Sequence, residues 1–375
     1  MAKPPAKPYP EFPLFAHQSG QWAKKIRGKH EYFGVWADHD AALAKYLQDR
    51  DYLQAGQTPP GEQASLADIL NGFYDDKQRS LECGEITQRT FDEYEAACEV
   101  IGETLGKHRP VVTISYDDLG KLRSVLSKGK GGKQLSPVSI KRLLSLARMV
   151  FNHANEEMGH AIRYKKALRS PTAKALRQAR NEAGERLFTP KEIRDLVKTA
   201  KPQLRAMILL GINCGFGNGD CGTLPIEALD LKGGWHNYWR PKTQVTRRCP
   251  LWPETVKALT AVVSDRTNGS VFITKYGNPW TTDGRRDPIA FEFRKVADEL
   301  GIYRKGITTF YTLRRSFETI AATGGVPQSV IDSAMGHVPH VKDMSAVYRQ
   351  KTFDDMLKVC TNHVRQWYLG KVKIS

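Results

Sequence analysis

The chain has 375 residues, which is too long for one ordinary hydrophobic core and predicts two or three domains. Its formal net charge of +17 favours a polyanionic partner, nucleic acid before an anionic membrane. No run approaches the roughly 18 apolar residues of a membrane span, and residues 1–10 lack an apolar signal core, so we expect a cytoplasmic protein that binds no membrane.

Residues 1–62 are predicted to form a small antiparallel sheet, because short alternating runs with aromatic residues are bounded by glycine turns. Lys24, Lys25 and Arg27 lie in one of these runs and give the module a basic face. That face either contacts a DNA backbone or is the solvated side of a hairpin, and the residues alone leave both interpretations open.

Residues 63–165 are predicted to be helical, after a linker rich in Gly and Pro. Ser65 has the chemistry of a helix cap and precedes apolar residues at helical spacing. The clearest helix follows the Ser136-Pro137 pair and places Lys141 and Arg148 opposite its apolar stripe. This polar ridge is suited to contacts with phosphates.

A basic loop precedes this helix and contains Lys128, Lys130 and Lys133 among glycines. It lacks the Gly-x-x-x-x-Gly-Lys-Ser/Thr pattern of a nucleotide-binding P-loop. A DNA backbone is therefore a better ligand for this loop than ATP, and a merely solvated loop is the alternative.

Residues 166–187 are predicted to be a basic, alanine-rich linker. The segment 121–191 contains 17 Lys/Arg against 4 Asp/Glu, which is +13 of the chain's +17, so it carries most of the electrostatic field. Thr189-Pro190-Lys191-Glu192 has the pattern of a capping box with proline in the first turn. A new helix is expected there, and the last predicted domain spans residues 188–375.

The cysteines form no Cys-x-x-Cys pair and have no Cys/His spacing typical of a metal site. We expect them to be reduced, buried and inert, with a redox pair as the alternative for Cys214 and Cys221, which flank a glycine-rich loop. No acidic cluster indicates a metal nuclease. The sequence therefore predicts neither a cofactor nor a metal ion. The six cysteines are Cys83, Cys98, Cys214, Cys221, Cys249 and Cys360.

The most informative pattern lies near the C-terminus. Arg314 is followed 23 residues later by His337 and, 11 residues after that, by Tyr348. Tyr311 lies three residues before Arg314, so both side chains share one face of a predicted helix. Upstream, Lys242 lies in a turn between two short strand-like runs. Together these residues resemble the catalytic domain of the tyrosine recombinase (phage-integrase) family.

In that family a tyrosine attacks a DNA phosphate that arginine and histidine hold. The resemblance implies that Tyr348 is the nucleophile and that Arg314 clamps the phosphate. It further implies that Lys242 is the general acid and that His337 and Tyr311 donate hydrogen bonds. Double-stranded DNA would then be cut and rejoined through a 3′-phosphotyrosyl link, without a cofactor.

Two residues depart from the family's pattern. Gly217 stands where the family has its first catalytic arginine, although Asp220 matches the acidic position that follows. Tyr311 replaces a histidine, and a phenol is a poor proton shuttle. The nearby candidates for the missing cation are Arg247, Arg248 and Arg315.

The resemblance implies a mainly α protein with small β-sheets. Residues 1–62 resemble an arm-type DNA-binding module and residues 63–165 a helical core-binding domain, followed by the basic linker and a mixed α+β catalytic domain. The implied partners are double-stranded DNA, copies of the chain in a tetramer at synapsis, and accessory DNA-bending proteins. Such a protein serves DNA integration by a mobile genetic element and is nucleoid-associated when bound to DNA.

Two alternatives stay open. An integrase-derived DNA-binding protein with weak or no strand cleavage would explain both replacements. A type IB topoisomerase uses similar chemistry, but the separate N-terminal module argues against it.

Overall fold

The structure is a computed structural model that describes residues 4–57, 59, 64–129, 131–240, 242–280, 287–338 and 354–373. The chain divides into two compact units, residues 1–176 and 177–375. The described part of the first unit has two separate hydrophobic cores, and that of the second unit has one large core.

The first unit begins with a three-stranded antiparallel sheet. Its strands β1 (Phe15–His17), β2 (Gln21–Ile26) and β3 (Lys29–Val35) pair in chain order. Arg27 and Gly28 form the turn between β2 and β3, and both have positive φ (49° and 86°). A two-residue hairpin turn of type I′ requires this conformation at both positions, which explains the glycine.

Helix α1 (His39–Ala55) packs against β2 and β3. The sequence analysis predicts only the sheet in this region. The buried side of α1 is a narrow stripe of Ala42, Tyr46 and Asp49, so few apolar positions mark the helix in the sequence. The first core consists of Phe12, Leu14, Trp22, Ile26, Phe33, Ala42 and Tyr46.

The rest of the first unit is helical and surrounds a second core. The helices are α2 (Leu66–Glu82), α3 (Gln88–Leu105), α4 (Tyr116–Leu126) and α5 (Pro137–Glu156). Ser65 begins α2 in a capping box with Asp68, and Ser136 caps α5 with proline in the first turn, as predicted. Ala167 and Leu168 belong to the same core, so its packing continues three residues beyond the predicted boundary at residue 165. Helix α6 (Ala173–Glu182), which has no buried residue, occupies part of the predicted linker.

The second unit is built around a buried helix. Helix α8 (Pro202–Cys214) is buried along almost its whole length and packs against five other described helices. Gly215 ends α8 with φ of 65°, and a Cβ there would lie 3.1 Å from atoms of Met335 and of Phe317, so the position needs glycine for both conformation and space. The remaining helices are α7 (Pro190–Thr199), α9 (Asn218–Gly222), α10 (Pro253–Val263), α11 (Pro288–Glu299), α12 (Phe310–Ala322), α13 (Gln328–Met335) and α14 (Asp354–Tyr368).

A small antiparallel sheet completes the second unit. Its strands are β4 (Leu229–Asp230), β5 (Trp235–Asn237) and β6 (Arg248–Pro250). Beyond the strand ends, hydrogen bonds from Tyr238 N to Arg247 O (2.8 Å) and from Arg240 N to Val245 O (3.0 Å) continue the pairing toward the turn. The predicted turn between two strand-like runs is therefore an extended β5–β6 hairpin.

The predicted fold class is confirmed: the described chain is mainly helical, with a three-stranded sheet near the N-terminus and another in the second unit. No described helix is both long and apolar enough to span a membrane.

Candidate active site

Arg314 lies on the first turns of α12, where the sequence predicted a phosphate clamp. Its side chain is 1% exposed, and its guanidinium donates hydrogen bonds to the backbone oxygens of Gly215 and Met335. Burial lowers the pKa of Arg314 to about 10, repulsion from Arg240 adds to the effect, and attraction to Asp220 opposes it. The guanidinium still carries its charge at neutral pH.

Asp220 is the carboxylate that faces this arginine. It is almost fully buried, and its Oδ2 accepts a hydrogen bond of 2.7 Å from the backbone nitrogen of Gly217. Three guanidinium groups surround it, with nitrogen–oxygen distances of 3.5 Å for Arg247, 3.8 Å for Arg240 and 3.9 Å for Arg314. This cluster of one acid and three bases, called the arginine cluster below, therefore holds a net charge of about +2 with little water around it.

The hydrogen bonding of the arginine cluster is incomplete. Among the described residues, the Nε atoms of Arg240 and Arg314 and all three nitrogens of Arg247 are buried without a hydrogen-bond partner. Each unsatisfied buried group costs about 1–3 kcal/mol, and more when it is charged. An anion placed among these nitrogens would relieve both the charge excess and the missing hydrogen bonds.

The segments that carry Lys242 and His337 meet at the arginine cluster through one backbone group, the carbonyl of Gly336. Lys242 is exposed in the β5–β6 turn, and the adjacent Thr243 donates a hydrogen bond of 3.1 Å to Gly336 O. Arg240 Nη1 approaches the same oxygen at 3.4 Å. His337 follows directly, so the structure brings the turn that carries Lys242 next to the segment that carries His337.

The His337 ring is fixed by a carboxylate. Its Nδ1 lies 3.0 Å from Oδ1 of Asp332, one turn earlier on α13, and the side chain is 28% exposed. When Nδ1–H donates a hydrogen bond to Asp332, Nε2 can donate one as well only in the imidazolium form.

Tyr311 and Gly217 lie beside each other. A Cβ on Gly217 would lie 3.9 Å from Cδ2 of Tyr311 and 3.5 Å from Oδ2 of Asp220, which are ordinary van der Waals distances. Tyr311 is 44% exposed, and the guanidinium of Arg315 lies over its ring at 5.6 Å. The ring of Tyr311 is therefore open to solvent and is not packed in the core.

The three candidates for the missing cation have separate environments. Arg247 is fully buried at Asp220, whereas Arg248 points to the other face of the hairpin and forms two hydrogen bonds of 3.0 Å with Asp354. Arg315 lies over Tyr311. Of these three candidates, only Arg247 faces Asp220, the carboxylate that also faces Arg314.

Two predicted site residues lie outside the described residues: the proposed nucleophile Tyr348 and Lys130 of the basic loop. The basic loop itself closes as a tight hairpin, with Gly129 N donating to Lys133 O at 2.8 Å and Lys128 pairing with Gln134. Lys128 and Lys133 are both exposed there.

The other basic residues predicted to bind DNA are at least partly accessible. Lys25, Arg27 and Lys141 are exposed, and Lys24 is half-buried with its ammonium 4.7 Å from the centre of the Tyr46 ring. Arg148 is half-buried and donates a hydrogen bond of 3.2 Å to Ser170, so this one has a structural contact as well.

The cysteines are less scattered in space than in sequence. Cys214, His236 and Cys249 are fully buried, and their possible ligand atoms lie within 4.8 Å of one another. Burial raises the pKa of the Cys249 thiol well above its usual value. A structural zinc site takes four such ligands. Among the described residues these three form the whole group, so a fourth ligand is missing. Cys83 is exposed, which corrects the expectation that all six are buried.

Comparisons with known proteins agree on one family. Residues 186–354 match the family model described as the phage integrase family. A crystal structure of a lambda integrase dimer bound to a COC′ core site is similar at 16% identity and a TM-score of 0.58, with 93% of this chain and 98% of that chain covered. The Tn1549 transposon integrase (residues 82–397, with Y379F) in complex with transposon right end DNA is similar at 16% identity and a TM-score of 0.55, with 82% and 100% covered. No curated protein sequence matches the chain significantly.

The fold is thus that of the DNA integrases. Residues 186–354 are similar to the phage integrase family, whose model matches this part of the chain. The structure brings Arg314 and Asp220 together, as their places in the sequence pattern predict, but that pattern does not distinguish Arg247 from its neighbours. The alternation of side chains from Arg247 into β6 is the signal that could have done so, because it turns Arg247 and Cys249 to one face and Arg248 to the other.

Proposed function

We propose that the protein is a site-specific DNA recombinase that cuts and rejoins double-stranded DNA through a 3′-phosphotyrosyl intermediate. The observation that carries this proposal is the arginine cluster, a buried group with excess positive charge and unused hydrogen-bond donors. A DNA phosphodiester has the charge and the oxygen atoms to satisfy it. The surrounding fold is one whose similar structures are described as bound to DNA.

In the proposed reaction, the phenolic oxygen of Tyr348 attacks the scissile phosphorus and releases its proton to solvent water. A bond forms between that oxygen and phosphorus, and the bond from phosphorus to the 5′ oxygen breaks. Lys242 donates a proton to the departing 5′ oxygen, which leaves as a hydroxyl. Rejoining reverses these steps, so the energy of the broken bond is kept in the phosphotyrosyl link and neither ATP nor a metal ion enters the balance.

Arg314 acts on the charge that builds during the attack. Its buried guanidinium donates hydrogen bonds to non-bridging oxygens, and these bonds strengthen as the pentacovalent transition state gains negative charge. His337 offers its Nε2 to the phosphate, because Asp332 holds Nδ1. Tyr311 donates a hydrogen bond from its exposed phenol in place of the family's histidine, and it does not serve as a proton shuttle.

The basic surface of the first unit is proposed to hold the duplex. Residues 1–62 would act as an arm-type DNA-binding module, residues 63–165 as a core-binding domain and residues 166–187 as a linker along the DNA backbone. Lys25, Lys128, Lys133 and Lys141 are exposed and suited to phosphate contacts.

We further propose that copies of the chain assemble on DNA. A lambda integrase tetramer bound to a Holliday junction is similar to this chain at 17% identity and a TM-score of 0.58, with 90% of this chain covered. Recombination of two duplexes cuts four strands, and one nucleophile per chain then requires four chains.

The experiment is covalent trapping on nicked duplexes whose sequence is randomised around the nick. A nick close to the cleaved position lets the short strand with the new 5′ hydroxyl dissociate, so the protein–DNA adduct accumulates and resists SDS. Wild-type protein should give an adduct that Tyr348→Phe abolishes. Loss of the adduct in Tyr348→Phe with unchanged DNA affinity would support the chemistry, whereas no adduct from wild type across the library would contradict it.

The second candidate is an integrase-derived protein that binds DNA without cutting it. The glycine at position 217 favours it, because removing one preorganised donor from a charge-stabilising site lowers the rate about 100- to 1000-fold. In that case the library would show retention of specific sequences by wild type and by Tyr348→Phe alike, with no adduct from either. Relaxation of a supercoiled plasmid that carries no selected sequence would instead indicate a topoisomerase.

A further inference from the structure

The side chain of Arg247 occupies the region that an arginine at position 217 would reach. Its guanidinium lies over the ring of Phe216, 3.9 Å from the ring centre, and Phe216 immediately precedes Gly217. Its Nη1 lies 3.5 Å from Oδ2 of Asp220, the same oxygen that accepts the Gly217 N–H. Arg314 Nη1 approaches this oxygen at 3.9 Å. Arg247 and Arg314 therefore converge on one point, although they come from different elements.

Arg247 does not have the geometry of a structural ion pair. Two other arginines in the same unit do: Arg365 donates hydrogen bonds of 2.9 and 3.0 Å to Glu254, and Arg248 donates two of 3.0 Å to Asp354. Such forked pairs are the usual outcome when a guanidinium serves only to neutralise a carboxylate. At Arg247 all three nitrogens are buried with no hydrogen-bond partner in the described part of the chain.

The packing around Arg247 holds the guanidinium in place without satisfying it. Phe216 supplies a flat surface for one face, and the Tyr238 ring lies farther away, with 5.7 Å between its centre and the guanidinium. Gly336 closes the other part of the site, because a Cβ there would lie 3.4 Å from Cδ of Arg247. The side chain is fixed in position while its donors are left unused, as a preorganised anion-binding group requires.

We infer that Arg247 is a catalytic residue that replaces the arginine missing at position 217 and donates hydrogen bonds to a non-bridging oxygen of the scissile phosphodiester. This inference rests on the proposed function. Since Arg247 is 0% exposed, the phosphate reaches it when the contacts of Arg240 and Thr243 with Gly336 O open, and these are single hydrogen bonds of 3.4 and 3.1 Å. Arg247, on the β5–β6 hairpin, thus performs the function of the arginine that is missing from the loop after α8.

The test exchanges the two positions. Arg247→Ala should slow adduct formation on the selected nicked duplex about 100- to 1000-fold, the loss typical of one removed donor. Adding Gly217→Arg to that variant should recover at least a tenth of the wild-type rate, because a Cβ at position 217 makes only ordinary van der Waals contacts and the side chain starts beside Asp220. Arg248→Ala is the matched control, since it removes the neighbouring arginine, which pairs with Asp354, and it should stay within a few-fold of wild type.

A second readout separates catalysis from folding. A methylphosphonate at the scissile position replaces one charged oxygen with a methyl group, so a variant that lacks the neutralising guanidinium should lose less on this substrate than on the natural phosphate. The ratio of the wild-type rate to the Arg247→Ala rate should therefore be at least tenfold smaller on methylphosphonate DNA than on the natural phosphate. An equal deficit on both substrates, with no recovery by Gly217→Arg, would show that Arg247 is only structural and overturn the inference.

A third measurement is independent of strand cleavage. In the full chain, inorganic phosphate should raise the unfolding temperature of the second unit more than chloride does at equal ionic strength. The same effect is expected for Arg248→Ala but not for Arg247→Ala. If wild type forms no adduct but shows this phosphate effect, the recombinase proposal fails while the anion site stands. If phosphate stabilises Arg247→Ala as much as wild type, the inference fails whatever the adduct assay shows.

Discussion

The charge of Asp220 can be removed without changing its shape. Asp220→Asn keeps an oxygen that accepts the 2.7 Å hydrogen bond from Gly217 N, so the start of α9 stays capped. It removes the carboxylate that faces Arg240, Arg247 and Arg314 at 3.5–3.9 Å. The substitution therefore measures how much the arginine cluster depends on its one negative charge.

The size of the effect follows from these distances. At an effective dielectric constant of about 20, one ion pair at such a separation contributes about 4 kcal/mol of attraction. The three contributions do not add, because the guanidiniums repel one another and are hydrated by water in the unfolded chain. Removing one partner of a buried ion pair costs about 3–5 kcal/mol. We expect Asp220→Asn to lower the free energy of unfolding of the second unit by this amount.

Buried thiols allow the two units to be followed separately. Cys221 and Cys249 are fully buried in the second unit, and Cys98 is buried in the first. Thiol labelling at increasing urea concentrations, read residue by residue by mass spectrometry, should shift the transition of Cys221 and Cys249 in Asp220→Asn and leave that of Cys98 unchanged. A loss below about 1 kcal/mol would refute the electrostatic reasoning, since it would mean that the three arginines do not need the carboxylate.

Three further results are expected. Burial raises the pKa of Glu254, but the hydrogen bonds from Arg365, a backbone hydrogen bond and the charge of Arg365 together lower it by more, so the net pKa is lowered. The stabilisation is therefore present above the pKa of an unfolded glutamate and lost as pH falls through the folded value, and Arg365→Met should cost about 1 kcal/mol at pH 7 and less at pH 3, measured by urea unfolding. Gly336→Ala places a side chain at φ of 63° and should cost about 1–2 kcal/mol in the same assay, and an unchanged stability would contradict the tight packing there. Affinity for duplex DNA should fall steeply with salt, and replacing both Lys128 and Lys133 with alanine should reduce the slope of log Kd against log salt by about two; an unchanged slope would exclude the basic loop from the interface.

The elements that the sequence predicts well are those with local signals. Ser65 and Thr189 each begin a helix through a capping box, because the residues that satisfy the free N–H groups lie within three positions of one another. The Arg27-Gly28 turn is similarly local. Helix α1 has local start and stop signals in Asp38 and Gly56, but its apolar face is weak, because the buried stripe includes Asp49 and packs against the sheet it covers. A helix that depends on tertiary contacts is harder to predict from its own residues.

The residues of the candidate site also differ in whether a sequence pattern marks them. Arg314, Asp220 and Lys242 are predicted as site residues because they keep the spacing of a known family. Arg247 lies 27 positions after Asp220, so the alternation of side chains shows which face it shares but not that its guanidinium meets this carboxylate. The trio of Cys214, His236 and Cys249 was missed for the same reason, since helix α8 and two strands bring these side chains together.

The glycine at position 217 therefore has a different meaning in the structure than in the sequence. In a family pattern, a missing arginine indicates a lost function, because a pattern identifies a residue by its place in the chain. A phosphate responds only to where the charged nitrogens are, and Arg247 brings three of them to the carboxylate beside that glycine. A purely structural arginine in such a place would gain stability by closing its bonds to Asp220, as Arg248 and Arg365 do with their own carboxylates. Its open geometry is costly for the folded protein alone, and that cost is the physical reason to expect that an anion completes the site.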